Sequence, residues 1–336
     1  MNSRLFILFL TFIIIVNIYP QSVQQYADIG NFELVSGDTI YDCRIGFRTF
    51  GKPNIDTSNA IIYCSWFGGT SEGIVSLIEK RNFIDTSKFF IIAFDALGDG
   101  ISSSPSNYSF TDFPDIAIRD MVNSQYLVLT KHLGIEHLDG AIGGSMGSMQ
   151  VLEWAVAYPY FISRIVAYVC SPKLTSYDLL WMNTQLRMME TLRKYRATEK
   201  EIKTLSDMMT AWISRTPDHV NENIMVEDFE NYLTKFENEP SETFTNDNYI
   251  AQMKAMIRHD ISKEFNNSME KVAKTIKAKL FLIVSKNDMM VNPLESIKLA
   301  GLTNSKLLVL DNNCGHLAVS CEFERVKEEI AEFLIN

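Results

Sequence analysis

The chain has 336 residues, which is enough for one large α/β domain or two domains of average size. Hydrophobic residues make up 46% of it and charged residues 21%, a balance typical of a globular protein with an ample core. The formal net charge is -10 and no basic stretch offsets it, so the composition argues against nucleic acid as a partner.

The N-terminus has the pattern of an export signal. Arg4 precedes an apolar run over residues 5–16, and polar sequence begins at Gln21. The run has signal-peptide length and is too short for a comfortable membrane span. We therefore predict that residues 1–21 direct export, giving a periplasmic or secreted protein. The segment 19–22 is a poor cleavage site, so an uncleaved membrane anchor is the alternative.

From residue 31 onwards, apolar runs of strand length alternate with helical patterns. The predicted strands are 43–50, 60–66, 89–94, 138–142, 164–170, 278–285 and 306–310, and the clearest core helices are 115–133 and 322–334. This alternation predicts an α/β fold with a mostly parallel sheet and helices on both faces. The core would comprise residues 30–171 and 276–336.

Residues 172–275 interrupt the alternation. They read as helical throughout and are rich in methionine and charge, with helices predicted over 179–195 and 198–213. Thr198 and Glu201 have the spacing of a capping box at the start of the second helix. Such an insertion between core strands is placed to form a helical lid. The alternative is a packed helical layer without a gating role.

A Gly-x-Ser-x-Gly pattern, Gly143 to Gly147, lies between the strand 138–142 and a helical pattern. This arrangement is typical of a nucleophile elbow, in which the serine sits on a sharp strand-to-helix turn between small residues. The turn would also place Ser145 at a helix N-terminus, where the helix dipole favours negative charge. The bare pattern is common in glycine-rich turns, but its setting here predicts that Ser145 is a nucleophile.

A nucleophilic serine needs a base, and the base needs an orienting acid. Asp288 and His316 each follow a predicted core strand, and Gly315 precedes the histidine. The order Ser145, Asp288, His316 is that of the α/β-hydrolase fold. Asp311 is the alternative acid. The other histidines are predicted on the surface or in the insertion: His132, His137, His219 and His259.

An oxyanion hole would complete this site. The backbone N–H of Met146, directly after the nucleophile, is one predicted donor. The second should come from the loop after an early strand, where Phe67 is the preferred residue and Trp66 the neighbouring alternative. Gly68 and Gly69 would let that backbone turn towards the site.

The five cysteines are too few and too scattered for a disulfide framework. Cys43, Cys64 and Cys170 lie in apolar runs and are predicted to be buried thiols. Cys314 and Cys321 could form a disulfide in an oxidising compartment, a question that the sequence leaves open. No spacing of cysteine and histidine predicts a metal site.

Several motifs resemble those of the homoserine O-acetyltransferase family. They are Gly143 to Gln150 with Glu153-Trp154 and Tyr158-Pro159, the run 118–122 with 133–135, the run 66–70, and Gly315-His316. The resemblance extends from about residue 30 to the C-terminus. It implies an α/β-hydrolase fold with a helical lid, an acyl-serine intermediate, the triad Ser145, Asp288 and His316, and Phe67 in the oxyanion loop. It also implies a homodimer through the lid helices.

The chain departs from that family where the acceptor amino acid would bind. The family has an aspartate after the catalytic histidine, whereas this chain has Leu317. Arg187 and Arg258 lie near the family's substrate-binding arginine and tyrosine. With Trp66, these three residues are the expected substrate-binding positions. A buried ammonium without charged partners is costly, so homoserine is disfavoured as the acceptor.

Two enzymatic hypotheses and one non-enzymatic hypothesis follow. The first is an exported carboxylic-ester hydrolase that acts on small acyl esters and needs no cofactor. The second is an O-acyltransferase with a hydroxyl or amine acceptor, for which an acyl-CoA could be the donor. The third is a hydrolase-like binding protein without catalysis, which the complete Ser145, Asp288 and His316 set disfavours.

Overall fold

The structure is a computed structural model that describes residues 22–110, 112–238 and 244–336. The predicted signal peptide or anchor, residues 1–21, lies outside these ranges. The described strands are β1 (Gln25–Glu33), β2 (Thr39–Phe50), β3 (Ala60–Cys64), β4 (Phe90–Phe94), β5 (Leu138–Gly144), β6 (Ile162–Tyr168), β7 (Lys279–Ser285) and β8 (Lys306–Leu310).

The described α-helices alternate with the strands only in the first and last parts of the chain. They are α1 (Ser71–Val75), α2 (Ile118–Leu127), α3 (Met146–Ala157), α4 (Ser176–Lys194), α5 (Glu199–Ser214), α6 (Pro217–Asn223), α7 (Phe229–Asn238), α8 (Asn246–Ile257), α9 (Met269–Thr275), α10 (Leu294–Thr303), α11 (Ala318–Cys321) and α12 (Phe323–Ile335). In these described ranges, no helix is long and apolar enough to cross a membrane.

The strands form one sheet in the order β1-β2-β4-β3-β5-β6-β7-β8. The six strands from β4 to β8 in this order are parallel, and β2 and β1 extend the sheet antiparallel. The predicted mostly parallel α/β sheet is therefore confirmed. Strand β1 was not predicted, because its sequence is mostly polar and only Ala27 and Phe32 are buried along it.

Alternate residues of each central strand pack into separate cores on the two faces of the sheet. On β3, Ile62 and Cys64 join the core beneath α2 and α3, whereas Ile61 and Tyr63 join the core beneath α12. A strand buried on both faces reads as a continuous apolar run, which is why these strands were predictable. Because the strands from β4 to β8 in the sheet order are parallel, their C-terminal ends lie at one edge of the sheet.

Helices α4 to α9 form an insertion between β6 and β7, as predicted for residues 172–275. The predicted capping box at the start of α5 is present. The Thr198 hydroxyl accepts the Glu201 N–H at 3.2 Å, and the Glu201 carboxylate accepts the Thr198 N–H at 2.7 Å. Whether the insertion opens as a lid stays a prediction, but it lies over the end of the sheet where β5, β7 and β8 terminate.

Candidate active site

Ser145 lies on a sharp turn between β5 and α3. Its backbone angles are φ 55° and ψ -123°, in the left-handed half of conformational space that non-glycine residues rarely occupy. A Cβ atom on Gly143 would lie 2.1 Å from the Gly147 carbonyl oxygen, and one on Gly147 would lie 2.4 Å from the Cys64 carbonyl oxygen. Only glycine fits at both positions, which explains the Gly-x-Ser-x-Gly spacing.

The three predicted triad residues form a continuous hydrogen-bonded chain. His316 Nε2 lies 2.9 Å from Ser145 Oγ, and His316 Nδ1 lies 2.7 Å from Asp288 Oδ2. Asp288 and His316 are 5% and 6% exposed, so solvent does not compete for these bonds. In this arrangement the histidine can accept the serine proton at one ring nitrogen while the carboxylate fixes the other.

Backbone N–H groups of its own loop hold the Asp288 carboxylate in position to bind His316. Its Oδ1 atom accepts the backbone N–H groups of Met290 and Val291, each at 2.8 Å. The alternative acid, Asp311, is exposed and pairs with Lys286 at 2.8 Å. The geometry therefore selects Asp288 over Asp311 as the partner of the histidine.

The segment that carries His316 is clamped from two sides. A disulfide joins Cys314 to Cys321 across seven positions and encloses the histidine, which answers the question that the sequence left open. The end of α5 packs on Gly315, where a Cβ atom would lie 2.9 Å from the Ser214 carbonyl oxygen. The other three cysteines are buried thiols, as predicted: Cys43, Cys64 and Cys170.

The two predicted oxyanion donors lie at the same end of the sheet. Met146 opens helix α3, and Phe67 lies in the loop after β3. Within the described ranges, neither backbone N–H donates a hydrogen bond, so both are available to a ligand. The next N–H, of Gly68, donates instead to Gln252 Oε1 at 2.9 Å.

A cavity of about 510 Å³ opens at Ser145. Apolar and aromatic side chains predominate in its walls, which include the predicted residues Trp66 and Leu317. Among the described residues, no aspartate or glutamate lines this cavity, and Arg81, stacked 3.4 Å above the Phe323 ring, is its permanent cation. An uncharged acyl or alkyl group suits such walls better than a free amino acid does.

Two predicted substrate-binding residues do not reach this cavity, and these predictions are wrong. Arg187 is exposed on α4, whose buried residues Asp178, Trp181, Met182, Gln185 and Met189 lie on the opposite face of the helix. Arg258 ends α8 on the surface and pairs with Asp115. In both cases the register of a lid helix turns the side chain towards solvent rather than towards Ser145.

The cavity wall also contains a partly buried phenol, Tyr168, that the sequence did not indicate. Tyr168 packs against Gly144, where a Cβ atom would lie 2.0 Å from its ring, and its hydroxyl lies 2.6 Å from that of Tyr63. Burial raises the pKa of Tyr168 to about 12, so the hydroxyl stays neutral at ordinary pH. The wall beside the nucleophile thus carries no negative charge.

Gln252 is a second residue that the sequence did not reveal. It lies on α8, accepts the Gly68 N–H, and donates to the Leu97 carbonyl oxygen at 3.2 Å. On the same helix, the Tyr249 ring packs 4.6 Å from the Phe67 ring. No local pattern marks a glutamine that acts on a loop 184 positions earlier in the chain.

Comparison with known proteins agrees with this architecture. Residues 59–320 match a family model described as alpha/beta hydrolase fold. A probable esterase of Corynebacterium glutamicum is 35% identical over 170 residues, 49% of either chain. A probable acyltransferase of Methanothermobacter thermautotrophicus is 28% identical over 92% of this chain and 97% of its own. A homoserine O-acetyltransferase of Methanococcoides burtonii is 28% identical over 91% of this chain and 72% of its own.

The relatives confirm the resemblance to homoserine O-acetyltransferases, although the match to the Corynebacterium esterase spans only about half of that protein. Among solved structures, the acetyl esterase MekB superposes with a TM-score of 0.84 at 23% identity, over 94% of this chain and 98% of its own. Homoserine O-acetyltransferase from Bacillus anthracis has a TM-score of 0.80 at 21% identity, over 94% and 98%. At these identities the superpositions support the fold alone.

Proposed function

Because the chain belongs to the alpha/beta hydrolase fold family, we propose that it is a serine enzyme that hydrolyses small carboxylic esters through an acyl group carried on Ser145. One observation carries the proposal. Ser145, His316 and Asp288 form a hydrogen-bonded chain that opens into an apolar cavity. A hydrolase-like binding protein would have no need for this buried, fully connected chain.

The first half of the reaction forms the acyl-enzyme. His316 Nε2 takes the proton of Ser145 Oγ as that oxygen bonds to the ester carbonyl carbon, and Asp288 stabilises the resulting imidazolium. The carbonyl oxygen becomes an oxyanion, which the N–H groups of Met146 and Phe67 stabilise. The carbon–oxygen bond to the alcohol then breaks, and the alcohol leaves with the proton from His316.

The second half regenerates the serine. Water loses a proton to His316 Nε2 and adds to the acyl carbon, and the bond to Ser145 Oγ breaks as the serine regains a proton from the histidine. The products are a carboxylic acid and the free enzyme. All of these steps use groups of this chain and water, so the proposed hydrolysis needs no cofactor.

Hydrolysis is preferred to transfer because of the cavity walls. An amino acid acceptor brings an ammonium group, whose burial without a carboxylate partner is costly. Leu317 is the residue after the catalytic histidine, lines the cavity, and offers no charge. Water is uncharged, so as the acceptor it needs no carboxylate partner in the cavity.

An O-acyltransferase with a hydroxyl or amine acceptor is the second candidate. The full-length similarity to a probable acyltransferase favours it, since that match covers more of this chain than the esterase match does. Its chemistry would differ only in the second half, where the acceptor replaces water. An acyl-CoA would be the corresponding donor.

We propose further that the protein is exported. The charged and apolar segments of residues 4–16 support this, and so does the disulfide between Cys314 and Cys321, since such bonds persist in oxidising compartments. A homodimer through the lid helices is also proposed. Leu180, Leu205 and Trp212 are exposed apolar residues on α4 and α5 that a partner could cover.

The test is p-nitrophenyl acetate turnover, measured with and without homoserine, serine and simple alcohols. We expect release of acetate that is independent of acceptor, and the Ser145→Ala variant should lose roughly 10⁴–10⁶ in kcat. Acceptor-dependent acyl product with negligible hydrolysis would select the acyltransferase instead. Activity retained by Ser145→Ala would refute both candidates.

A further inference from the structure

A second cavity, of about 550 Å³, lies within the helical insertion between α5, α6 and α7. Its lining includes two basic residues, Arg215 and Lys235, and two aliphatic residues, Val220 and Ile224. Helix α5 separates it from the active-site cavity. Thr210 and Ser214 line the cavity of Ser145, whereas Ala211 and Arg215, each one position later, line the second cavity.

Four described arginines have a buried guanidinium nitrogen without a hydrogen-bond partner, and among them Arg215 alone forms no ion pair with a described carboxylate. Its Nη1 atom is buried and, within the described ranges, donates no hydrogen bond. Burial lowers the pKa of Arg215, against the opposing effect of Tyr232. Withdrawing a guanidinium from water without an acceptor is unfavourable, and a structural arginine normally has a carboxylate or carbonyl beside it.

The remaining groups of the cavity do not neutralise this charge. Asp228 is its one acidic lining residue, and in the described ranges it forms no ion pair with Arg215 or Lys235. Lys235 lies 5.7 Å from the centre of the Tyr232 ring, and it has no carboxylate partner among the residues that the structure describes. Among the described residues, the two cations of this cavity therefore outnumber its one carboxylate, and neither of them is paired with it.

We propose that this cavity binds a small organic anion, with its carboxylate or phosphate group on Arg215 and Lys235 and its apolar part against Val220 and Ile224. A guanidinium presents two parallel donors to such a group, and a lysine supplies a point charge. The proposal rests on this geometry and does not depend on the reaction at Ser145.

The cavity is connected to the segment that carries His316. The Thr216 hydroxyl donates to the Asn313 carbonyl oxygen, and Asn313 Nδ2 donates to Glu222 at 2.6 Å. His219 Nδ1 lies 3.7 Å from Cys314 Sγ. An anion that orders the α5–α6 turn would thus also order the support of His316, so its binding should alter esterase turnover.

The experiment measures the melting temperature and the binding of two probes, inorganic phosphate and hexanoate, against sodium chloride of equal ionic strength. We expect one probe at about 10 mM to raise the melting temperature by roughly 3 °C or more, because a ligand bound only to the folded state stabilises it. A response to hexanoate alone identifies a carboxylate ligand, and a response to phosphate alone identifies a phosphate ligand.

Variants assign the effect to the cavity. Arg215→Gln should abolish the anion-dependent shift and weaken binding by calorimetry at least about tenfold, without lowering the melting temperature of the free protein, since a partly buried charge without a partner is removed. Lys235→Gln should weaken binding without lowering the melting temperature. Lys200→Gln, an equal charge change on the exposed start of α5, is the control and should leave the anion response intact.

Two results would overturn the proposal. A lower melting temperature in Arg215→Gln, with no specific anion effect in the parent protein, would identify an arginine that serves packing alone. An anion shift that persists in both Arg215→Gln and Lys235→Gln would locate binding elsewhere. Anion effects on turnover that survive in Arg215→Gln would likewise belong to the cavity of Ser145.

Discussion

The side chain of Gln252 accepts the Gly68 N–H at 2.9 Å and so joins helix α8 of the insertion to the loop of Phe67. Gln252 is fully buried and also donates to the Leu97 carbonyl oxygen. The proposed oxyanion donor at Phe67 is thereby positioned from two sides. The helical insertion therefore helps to position the loop that carries the proposed oxyanion donor, in addition to covering the active site.

Gln252→Leu should impair catalysis while the protein stays folded. The change leaves the Gly68 N–H without an acceptor and frees the loop, so we expect kcat for p-nitrophenyl acetate to fall by roughly 10- to 100-fold, less than direct loss of an oxyanion donor. Gln252→Glu keeps the acceptor oxygen and should retain more activity. Equal losses in the two variants would argue against this hydrogen bond as the cause.

Asp288→Asn should reduce kcat by about 10⁴-fold, because the amide no longer stabilises the imidazolium and can select the wrong tautomer of His316. Asp311→Asn is the matched control, since Asp311 lies at the end of β8 but pairs only with exposed Lys286. Its activity should stay within about twofold of the parent. Steady-state kinetics of both variants decide whether the buried or the exposed aspartate is the acid.

Leu317→Asp should shift the reaction from hydrolysis towards transfer to acceptors that carry an ammonium group. A carboxylate at the wall of the cavity would pair with that group, a contribution of roughly 1.5–3 kcal/mol for a charged hydrogen bond. We expect the ratio of O-acetylhomoserine to acetate to rise about tenfold. Leu317→Asn, equal in shape but uncharged, should show no such rise, and a rise in both variants would exclude charge as the reason.

Removal of the disulfide should destabilise the protein. A cross-link that closes seven positions restricts the unfolded chain, and its loss costs roughly 2 kcal/mol on the loop-entropy model. The double variant Cys314→Ser/Cys321→Ser should therefore melt several degrees below the parent. Dithiothreitol should lower the melting temperature of the parent alone. An effect of equal size in the double variant would point to another target of the reductant.

The raised pKa of Asp99 should make the free energy of unfolding decrease as the pH rises. It is fully buried, and burial, with the nearby charge of Asp95, raises its pKa well above the ordinary value. The folded state then holds a proton that the unfolded state releases above about pH 4, so stability declines between the unfolded and folded pKa values. Urea unfolding at pH 5 and pH 8 should show a smaller difference in Asp99→Asn than in the parent, with exposed Asp56→Asn as the unchanged control.

The catalytic set was predictable because it depends on local pattern and topology. Gly143 and Gly147 are required by contacts within one turn, and the apolar strands β5, β7 and β8 are parallel. Parallel strands bring their ends to one edge of a sheet, so residues that follow them in sequence meet in space. Asp288 and His316 could therefore be identified without knowing any distance.

The substrate-binding set was not predictable in the same way. Whether Arg187 and Arg258 face the cavity depends on the rotation of helices α4 and α8, which long-range packing sets and a charged surface pattern does not encode. The buried polar contacts of Gln252 likewise join segments that are distant in sequence. The edge strand β1 lacks an apolar run because one neighbour and few buried residues suffice for it.

The position of β8 has a consequence for how this protein would fail on heating. It is one of the two edge strands, it pairs with β7 alone, and of its five residues only Leu310 is buried. Edge segments open at a lower free energy than the whole domain. Detachment of β8 would move His316, which follows this strand, out of hydrogen-bond distance of Ser145, which follows the central strand β5. On heating, activity should therefore be lost at a lower temperature than helical structure. The half-life of activity would depend on local opening of the edge strand β8 and not on unfolding of the whole domain.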